Sequence, residues 1–282
     1  YRKAGINRLS IGLQSGNDKE LGYLGRIHSF RQFEETFKWA RKAGFDNINI
    51  DIMSALPGQT LESYLDTLTK VVKRNPEHIS AYSLIIEENS EFWDIYGDDA
   101  GVSDKKPVPL SYGEQCLVAL DGIPSLPDEQ TEREMYYITK DVLSRSGYHR
   151  YEISNYSKPG YECRHNKVYW TGKNYIGFGI GAASYINGIR YKNIEAIEQY
   201  MEYVECDKCR SIYIDENVLT LDERMEEFMF LGLRLTEGIS KNEWRKNFGC
   251  EIEDVYGKKI EEFISDGLLQ AKNDRIFLTD RG

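Results

Sequence analysis

Cysteine is scarce in this 282-residue chain, which has five of them, an odd number at irregular spacing. A disulfide framework is therefore not expected, and a reducing compartment, the cytoplasm, is. No apolar run approaches the ~20 residues that a membrane span needs. Positive charge is in deficit, with 36 Lys and Arg against 46 Asp and Glu and a net charge of −10, so nonspecific nucleic-acid binding is not expected. The 40% hydrophobic content suits one or two globular domains.

The chain also lacks an initial methionine, and its opening resembles the end of a helix. Arg2-Lys3-Ala4-Gly5 precedes a strand-like run, as Arg41-Lys42-Ala43-Gly44 does further on. Cationic residues followed by glycine are typical of a helix C-terminus. We therefore expect the chain to begin inside a repeating αβ array, as an N-terminally truncated piece of a longer protein.

The first 90 residues alternate between strand and helix patterns. Strands are predicted at Asn7–Gly12, Asn47–Ile52 and His78–Leu84, and amphipathic helices at Phe30–Ala43 and Leu61–Val72, the second with Thr60 as N-cap. Strands that alternate with helices in this way indicate parallel βα units. The predicted fold class is α/β. Three such units are half of a six-unit barrel or a piece of a larger one, and alone they would leave an exposed parallel edge.

The remainder of the chain divides by pattern into three parts. Residues 91–127 are rich in Gly, Asp, Ser and Pro and indicate a connection or insertion. Residues 128–215 are expected to form an accessory α+β region, and residues 216–282 a helical, winged-helix-like module. Helices are predicted at Asp128–Arg145, Ile194–Val204, Leu221–Leu235 and Glu251–Ser265, and a hairpin near Leu268–Leu278. From Ser240 onward eight Lys/Arg face nine Asp/Glu, which favours packing or interaction over DNA binding.

Three polar residues follow or end the predicted strands. Gln14 comes just after the first strand, Arg26 twelve positions later, and Asp51 within the end of the second. In parallel α/β folds functional side chains gather at the carboxyl ends of strands. A carboxylate and an amide there suit ribose hydroxyls, and an arginine suits a carboxylate. The alternative is structural: Gln14 and Asp51 cap turns, and Arg26 is a solvated charge.

These residues belong to three motifs, GINRLSIGLQS, LGRIHS and DIMSALPGQT. Together with HISAYSLIIEE and the segment from Thr131 to Gly160, they resemble the radical S-adenosylmethionine (SAM) family of oxygen-independent coproporphyrinogen oxidases and heme chaperones. The resemblance implies a (β/α)6-type radical SAM barrel of which the last three βα units are present. It also implies that Gln14, Arg26 and Asp51 contact SAM.

One element of that family is not found in this sequence. The family's C-x-x-x-C-x-x-C loop, which holds a 4Fe-4S cluster through thiolates, would precede residue 1, and none of the cysteines here has its spacing. The resemblance therefore implies cluster ligands upstream. The chain by itself is expected neither to assemble the cluster nor to generate a radical.

A second motif, ECRHNKVYW, covers Glu162–Trp170. His165 could ligate iron, Tyr169 and Trp170 could face a macrocycle, Arg164 could meet a propionate, and Asn166 could orient the loop through a backbone bond. The structural alternative is a buried histidine bonded to backbone, with Trp170 in the core. His-Asn-x-x-Tyr-Trp resembles the motif associated with heme in the HemW-like heme chaperones, which implies heme contact by His165, Asn166, Tyr169 and Trp170, with His165 on the iron.

The expected function is thus that of a heme chaperone which binds heme and transfers it to a recipient such as a respiratory cytochrome or another hemoprotein. The different-class alternative is an enzyme, an oxygen-independent coproporphyrinogen III oxidase, and the third is a degenerate barrel kept for protein interaction. Whether the chain serves catalysis is left open. Peripheral contact with a membrane is also left open, as is a role for the Cys206 and Cys209 pair.

Overall fold

A computed structural model describes residues 1–97, 124–205 and 212–282. It forms two units, one of residues 1–150 with 154–162 and the other of residues 151–153 with 163–282. The predicted 128–215 region is thereby divided between the two units. The Cys206 and Cys209 pair and most of the predicted 91–127 connection lie outside the described residues.

The first unit contains one five-stranded sheet in the order β1-β2-β3-β5-β4. Strands β1 (Leu9–Gln14), β2 (Ile48–Ser54) and β3 (His78–Ser83) are parallel, as predicted. Strand β5 (Asn155–Ser157) pairs antiparallel with β3, and β4 (His149–Arg150) pairs antiparallel with β5. The expectation of an exposed parallel edge is therefore wrong at β3, because a hairpin distant in sequence covers that edge.

Helices cover one face of this sheet. They are α2 (Phe30–Lys42), α3 (Leu61–Arg74) and α5 (Glu129–Arg145), and shorter helices α1 (Asp18–Tyr23) and α4 (Glu91–Tyr96) follow β1 and β3. Alternate residues of β2, namely Ile48, Ile50 and Ile52, are fully buried in the core beneath the helices. The intervening β2 residues Asn49 and Asp51 therefore face the other side of the sheet, since side chains alternate along a strand.

The second unit contains two three-stranded sheets. Its first part comprises α6 (Arg164–Trp170), β6 (Ala183–Ile186), β7 (Ile189–Asn193), α7 (Ile197–Glu205) and β8 (Tyr213–Val218). Its second part comprises α8 (Leu221–Gly232), β9 (Ile239–Ser240), α9 (Lys241–Phe248), α10 (Ile252–Ser265), β10 (Leu269–Lys272) and β11 (Arg275–Leu278). The predicted hairpin is β10-β11, and β9 joins it as a third strand. None of the helices in the described ranges is long and apolar enough to cross a membrane.

Candidate functional site

The carboxyl ends of β1 and β2 carry unusual backbone conformations. Gln14 has φ 68° at a register shift in β1, and Ala55, directly after β2, has φ 59°. An L-residue in this left-handed region costs about 1–2 kcal/mol, and such residues cluster at functional sites. Two adjacent parallel strands thus end in strained backbone on one edge of the sheet.

Asp51 is the half-buried carboxylate near this edge. Its Oδ2 accepts a hydrogen bond from Ser10 Oγ at 2.8 Å, and its Oδ1 accepts one from Asn49 Nδ2 at 2.7 Å. A carboxylate oxygen can accept two bonds, so each oxygen retains one acceptor position. This arrangement fits two neighbouring hydroxyls of a ribose, and Asp51 does not cap a turn.

The Gln14 side chain lies near Asp51, because it covers Gly12, the residue that pairs with Asp51 on the neighbouring strand. Gly12 is the strand partner of Asp51, and a Cβ added to Gly12 would lie 2.8 Å from Gln14 Nε2. The Gln14 amide therefore folds back over Gly12, and a side chain at position 12 would displace the end of the Gln14 side chain. The structure brings two of the three predicted SAM contacts to one pair of strands.

Arg26, the third predicted contact, follows α1. The helix ends at Gly25, with φ 65°, and the Arg26 and Gly25 amides donate to the carbonyls of Leu21 and Gly22, which is a Schellman motif. The loop is fixed to the end of β1 by a 3.2 Å contact between His28 Nε2 and the Leu13 carbonyl. The Arg26 side chain is exposed and forms no ion pair or hydrogen bond with another described residue.

A buried carboxylate that sequence reasoning missed connects the loops after β1 and β2. Glu20 is 3% exposed and accepts hydrogen bonds from Ser15 Oγ at 2.5 Å and Gln59 Nε2 at 2.9 Å. Gln59 Oε1 in turn accepts from the Leu56 amide at 3.2 Å. The two loops that flank Gln14 and Asp51 are therefore held together by one acid. The only sequence signal was the polar pair Ser15 and Gln59 just after two predicted strands.

The second predicted site lies on α6 in the other unit. His165 is exposed, so the alternative of a buried histidine is wrong. Its Nε2 lies 3.1 Å from the Tyr169 hydroxyl, and the two rings meet edge-on with centroids 4.9 Å apart. Tyr175 meets Tyr169 in turn at 4.7 Å. Partial burial and the neighbouring Tyr175 raise the pKa of the Tyr169 hydroxyl, which keeps it a neutral phenol near pH 7.

Trp170 does not share this surface with Tyr169. The Arg234 guanidinium lies over the Trp170 ring, 4.3 Å from its centroid, and Arg234 also lies 3.6 Å from the fully buried carboxylate of Glu152. Side chains of consecutive residues on a helix point in directions about 100° apart. One face of a macrocycle therefore cannot contact both Tyr169 and Trp170 unless α6 rearranges. The predicted backbone bond of Asn166 is not formed with any residue that the structure describes.

A glycine-rich loop begins directly after Tyr175. The buried Asn193 donates through Nδ2 to the Gly179 carbonyl at 2.7 Å, and the buried Ser184 Oγ accepts from the Gly177 amide at 2.9 Å. The backbone is thus fixed from one side, while large apolar side chains are exposed: Ile176 at 56%, Phe178 at 87% and Ile180 at 48%. The loop presents an apolar surface next to the aromatic residues of α6.

No metal site accompanies these features among residues 1–97, 124–205 and 212–282. Of the cysteines, Cys163 is buried and Cys250 half-buried, and no group of three or more His, Cys, Asp or Glu side chains in these ranges could hold a metal ion. The residues that the structure describes therefore do not fit a 4Fe-4S cluster.

Known proteins match the chain over its whole length. Heme chaperone HemW of Bacillus subtilis is 33% identical over 281 residues, 100% of this chain and 68% of that protein. Heme chaperone HemW of Escherichia coli is 32% identical, again over 100% of this chain and 67% of the relative. The chain belongs to the HemW family.

A further relative and two family profiles agree with the assignment of the chain to the HemW family. Heme chaperone HemW of Lactococcus lactis is 35% identical over 98% of the chain and 66% of that protein, so the chain spans about two thirds of the length of these relatives. The radical SAM superfamily profile matches residues 1–71, and that of the HemN C-terminal domain matches residues 219–282.

The solved structure of coproporphyrinogen III oxidase (HemN) from Escherichia coli, described as a radical SAM enzyme, has the same fold as this HemW-family chain. The TM-score is 0.72 at 22% identity, over 100% of this chain and 62% of that one. At this identity the likeness shows the fold alone, which is the radical SAM type of α/β fold that the motifs predict.

Proposed function

We propose that this HemW-family chain binds heme and passes it to a recipient hemoprotein, such as a respiratory cytochrome. The names of its relatives support this function over the oxidase. The observation that carries the proposal is the exposed His165 beside Tyr169 and Tyr175 on α6. An imidazole on a surface rich in aromatic and apolar side chains is what a porphyrin with open iron coordination needs.

Each residue of α6 then has a distinct role toward heme. His165 ligates the iron through Nε2, and the exposed Arg164 guanidinium, which has no partner among the described residues, pairs with a propionate. Tyr169 and the loop of Ile176, Phe178 and Ile180 supply apolar contact. Trp170 and Asn166 contribute after α6 rearranges, or they support α6 from its other side.

SAM is the second ligand that we propose. Asp51 accepts the ribose hydroxyls with the acceptor positions that Ser10 and Asn49 leave, Gln14 adds an amide beside them, and Arg26 meets the carboxylate of the methionyl group. Bound with a 4Fe-4S cluster, SAM supplies radical chemistry. We assign the cluster ligands to sequence preceding residue 1.

We also propose a domain arrangement for the chain. Residues 1–90 represent the last three βα units of a (β/α)6-type barrel, joined by residues 91–127 to the accessory region 128–215. Residues 216–282 form a winged-helix-like module that serves packing or partner contact. The odd number and irregular spacing of the cysteines support a cytoplasmic location.

Heme titration of the full-length protein that carries this sequence tests the function. We expect the native protein to give a Soret band and His165→Ala to shift or lose it, with affinity weakened about tenfold or more, which is about 1.4 kcal/mol. Tyr169→Phe is expected to bind heme about 3–10 times more tightly, because the bond that occupies His165 Nε2 is removed while the ring stays.

His149→Ala is the matched control, since His149 is another solvent-accessible histidine with a single partner, Glu162 at 2.8 Å. It should bind heme as the native protein does, and circular dichroism should show all variants folded. An unchanged Soret band in folded His165→Ala would remove the iron ligand from the proposal. Release of carbon dioxide from coproporphyrinogen by the cluster-loaded protein would instead favour the oxidase.

A further inference from the structure

A set of polar side chains, called the polar row below, crosses the sheet on the face opposite the helices. It occupies two adjacent register lines of the sheet: one contains Ser10, Asn49 and His78, and the next contains Gly12, Asp51, Ser80 and Asn155. Four of these residues are almost fully buried: Asn49 at 2%, His78 at 0%, Ser80 at 3% and Asn155 at 3% exposed. Buried polar groups of this kind are stable only when hydrogen-bonded to one another.

Asn49 is the centre of this row. Its Nδ2 donates to Ser10 Oγ at 2.7 Å and to Asp51 Oδ1 at 2.7 Å. Its Oδ1 contacts His78 Nδ1 at 2.6 Å and lies 3.2 Å from Ser80 Oγ, whose single proton has the nearer acceptor Asn155 Oδ1 at 2.7 Å. Both protons of the amide are therefore used, and its oxygen is occupied by His78.

The charge of Asp51 determines the direction of these bonds. A carboxylate only accepts, so the amide nitrogen of Asn49 must point toward Asp51 and the amide oxygen toward His78. His78 must then carry its proton on Nδ1. Burial, with a smaller contribution from the Arg8 cation, lowers the pKa of His78 to about 3, so the ring is neutral and this single tautomer is the one required.

Ser10 completes the support of the carboxylate. It accepts from Asn49 Nδ2 and donates to Asp51 Oδ2, so one amide acts on both carboxylate oxygens, directly on one and through the serine on the other. A carboxylate held at both oxygens in one orientation presents its remaining acceptor positions in fixed directions.

We propose that Asn49 is the positioning residue that orients the Asp51 carboxylate toward the two ribose hydroxyls of a nucleoside ligand, with His78 fixing the Asn49 amide. The inference rests on the proposed role of Asp51 in SAM binding. Asn49 does not touch the ligand, and its effect depends on the hydroxyls that Asp51 receives. A residue that only stabilises the sheet would weaken all ligands alike.

The test combines variants with ligands in the full-length protein. S-adenosylhomocysteine and its 2′-deoxy counterpart are titrated by calorimetry into the native protein, Asn49→Leu and Ser10→Ala. In the native protein loss of the hydroxyl should weaken binding about tenfold or more. In Asn49→Leu the intact ligand should lose about tenfold, and the hydroxyl should then matter less than about threefold.

Ser10→Ala provides the second variant, because Ser10 is exposed and its loss leaves the buried part of the polar row intact. It should reduce the hydroxyl effect in the same direction by a smaller factor. Tyr64→Phe is the matched control, since it removes the buried 2.7 Å bond to Thr139 on the helix side of the sheet. It should leave the hydroxyl effect as in the native protein.

The outcomes separate the inference from the function on which it rests. If Asp51→Asn binds S-adenosylhomocysteine as the native protein does, the proposed nucleoside site itself is wrong. If Asp51→Asn weakens binding but both Asn49→Leu and Ser10→Ala keep the full hydroxyl effect, the site stands and the positioning role is overturned. If Asn49→Leu does not fold, the result with Ser10→Ala decides alone.

Discussion

His78 is a fully buried histidine whose neutral form is required by its neighbours. Burial, with a smaller contribution from Arg8, lowers its pKa to about 3, whereas an unfolded histidine has a pKa near 6.5. Between these values the unfolded chain binds a proton that the folded protein does not, so stability rises with pH in this window. The contribution is complete above about pH 6.5 and is lost as the pH falls toward 3.

Acidification should therefore destabilise the first unit through this residue. From pH 7.5 to pH 5 we expect His78 to reduce the free energy of unfolding by about 2 kcal/mol. Urea denaturation of the native protein and of His78→Gln at both pH values measures it. If the two proteins lose equal stability over this interval, the neutral histidine is not responsible.

Some residues of the proposed nucleoside site around Asp51 could be predicted from the sequence, and others could not. Gln14 and Asp51 were found because they lie next to the ends of the predicted strands, which follow from the pattern of apolar residues, although β2 itself continues to Ser54. Asn49 carried a weaker signal, as it lies two positions before Asp51 and thus on the same face. Glu20 had only the indirect signal of its polar partners Ser15 and Gln59, because Gln59 is 39 positions away along the chain.

The helices of the first unit follow their sequence signals closely. α3 begins after Thr60, which forms a capping box with Ser63, and α2 begins after Ser29, which forms one with Gln32. β1 ends two residues later than predicted, because the strand continues through Gly12 to Gln14. β4 and β5 could not be predicted, since strands of two and three residues depend on pairing, of β5 with β3 and of β4 with β5, and not on a local pattern.

One glycine controls the junction of β9 and β11 in the second unit. Gly238 has φ 67°, and a Cβ added there would collide with the carbonyl oxygen of Ile276 and lie 2.6 Å from Phe277 Cβ. We expect Gly238→Ala to cost about 3 kcal/mol of stability, from the left-handed backbone and the overpacking together.

Gly249, at the end of α9, is the matched control, with φ 74° and nothing within 4 Å of an added Cβ. Gly249→Ala should cost only about 1 kcal/mol, the backbone penalty alone. Chemical denaturation followed by circular dichroism compares the two. Equal losses would show that the contact with Ile276 is relieved by movement of the strand.

At the scale of the whole molecule, the two hydrophobic cores do not overlap in sequence. The core of the C-terminal part, centred on the fully buried Trp244, draws all its members from residues 225–278. The profile match to the HemN C-terminal domain, residues 219–282, encloses this core completely. The module therefore holds the apolar contacts that a domain of its size needs.

Residues 216–282 expressed alone should fold. We expect a single cooperative urea transition with a small free energy of unfolding, about 3–5 kcal/mol, as is usual for a domain of this length. Trp244 fluorescence reports it, because Trp244 is the one tryptophan in this segment. A gradual, non-cooperative change would mean that the module needs the preceding residues to fold.

The left-handed backbone at Gln14 lowers local stability, while the Gln14 side chain contributes to the proposed ligand site. Glycine at this position would adopt φ 68° without the penalty of about 1–2 kcal/mol that an L-residue incurs. It would also lose the amide that lies over Gly12 beside Asp51. If backbone stability alone were under selection, glycine would be favoured at this position, so a lineage that no longer used the ligand could replace Gln14 with glycine. The identity of residue 14 across descendants of this sequence is in this sense a historical record of whether the nucleoside pocket remained under selection.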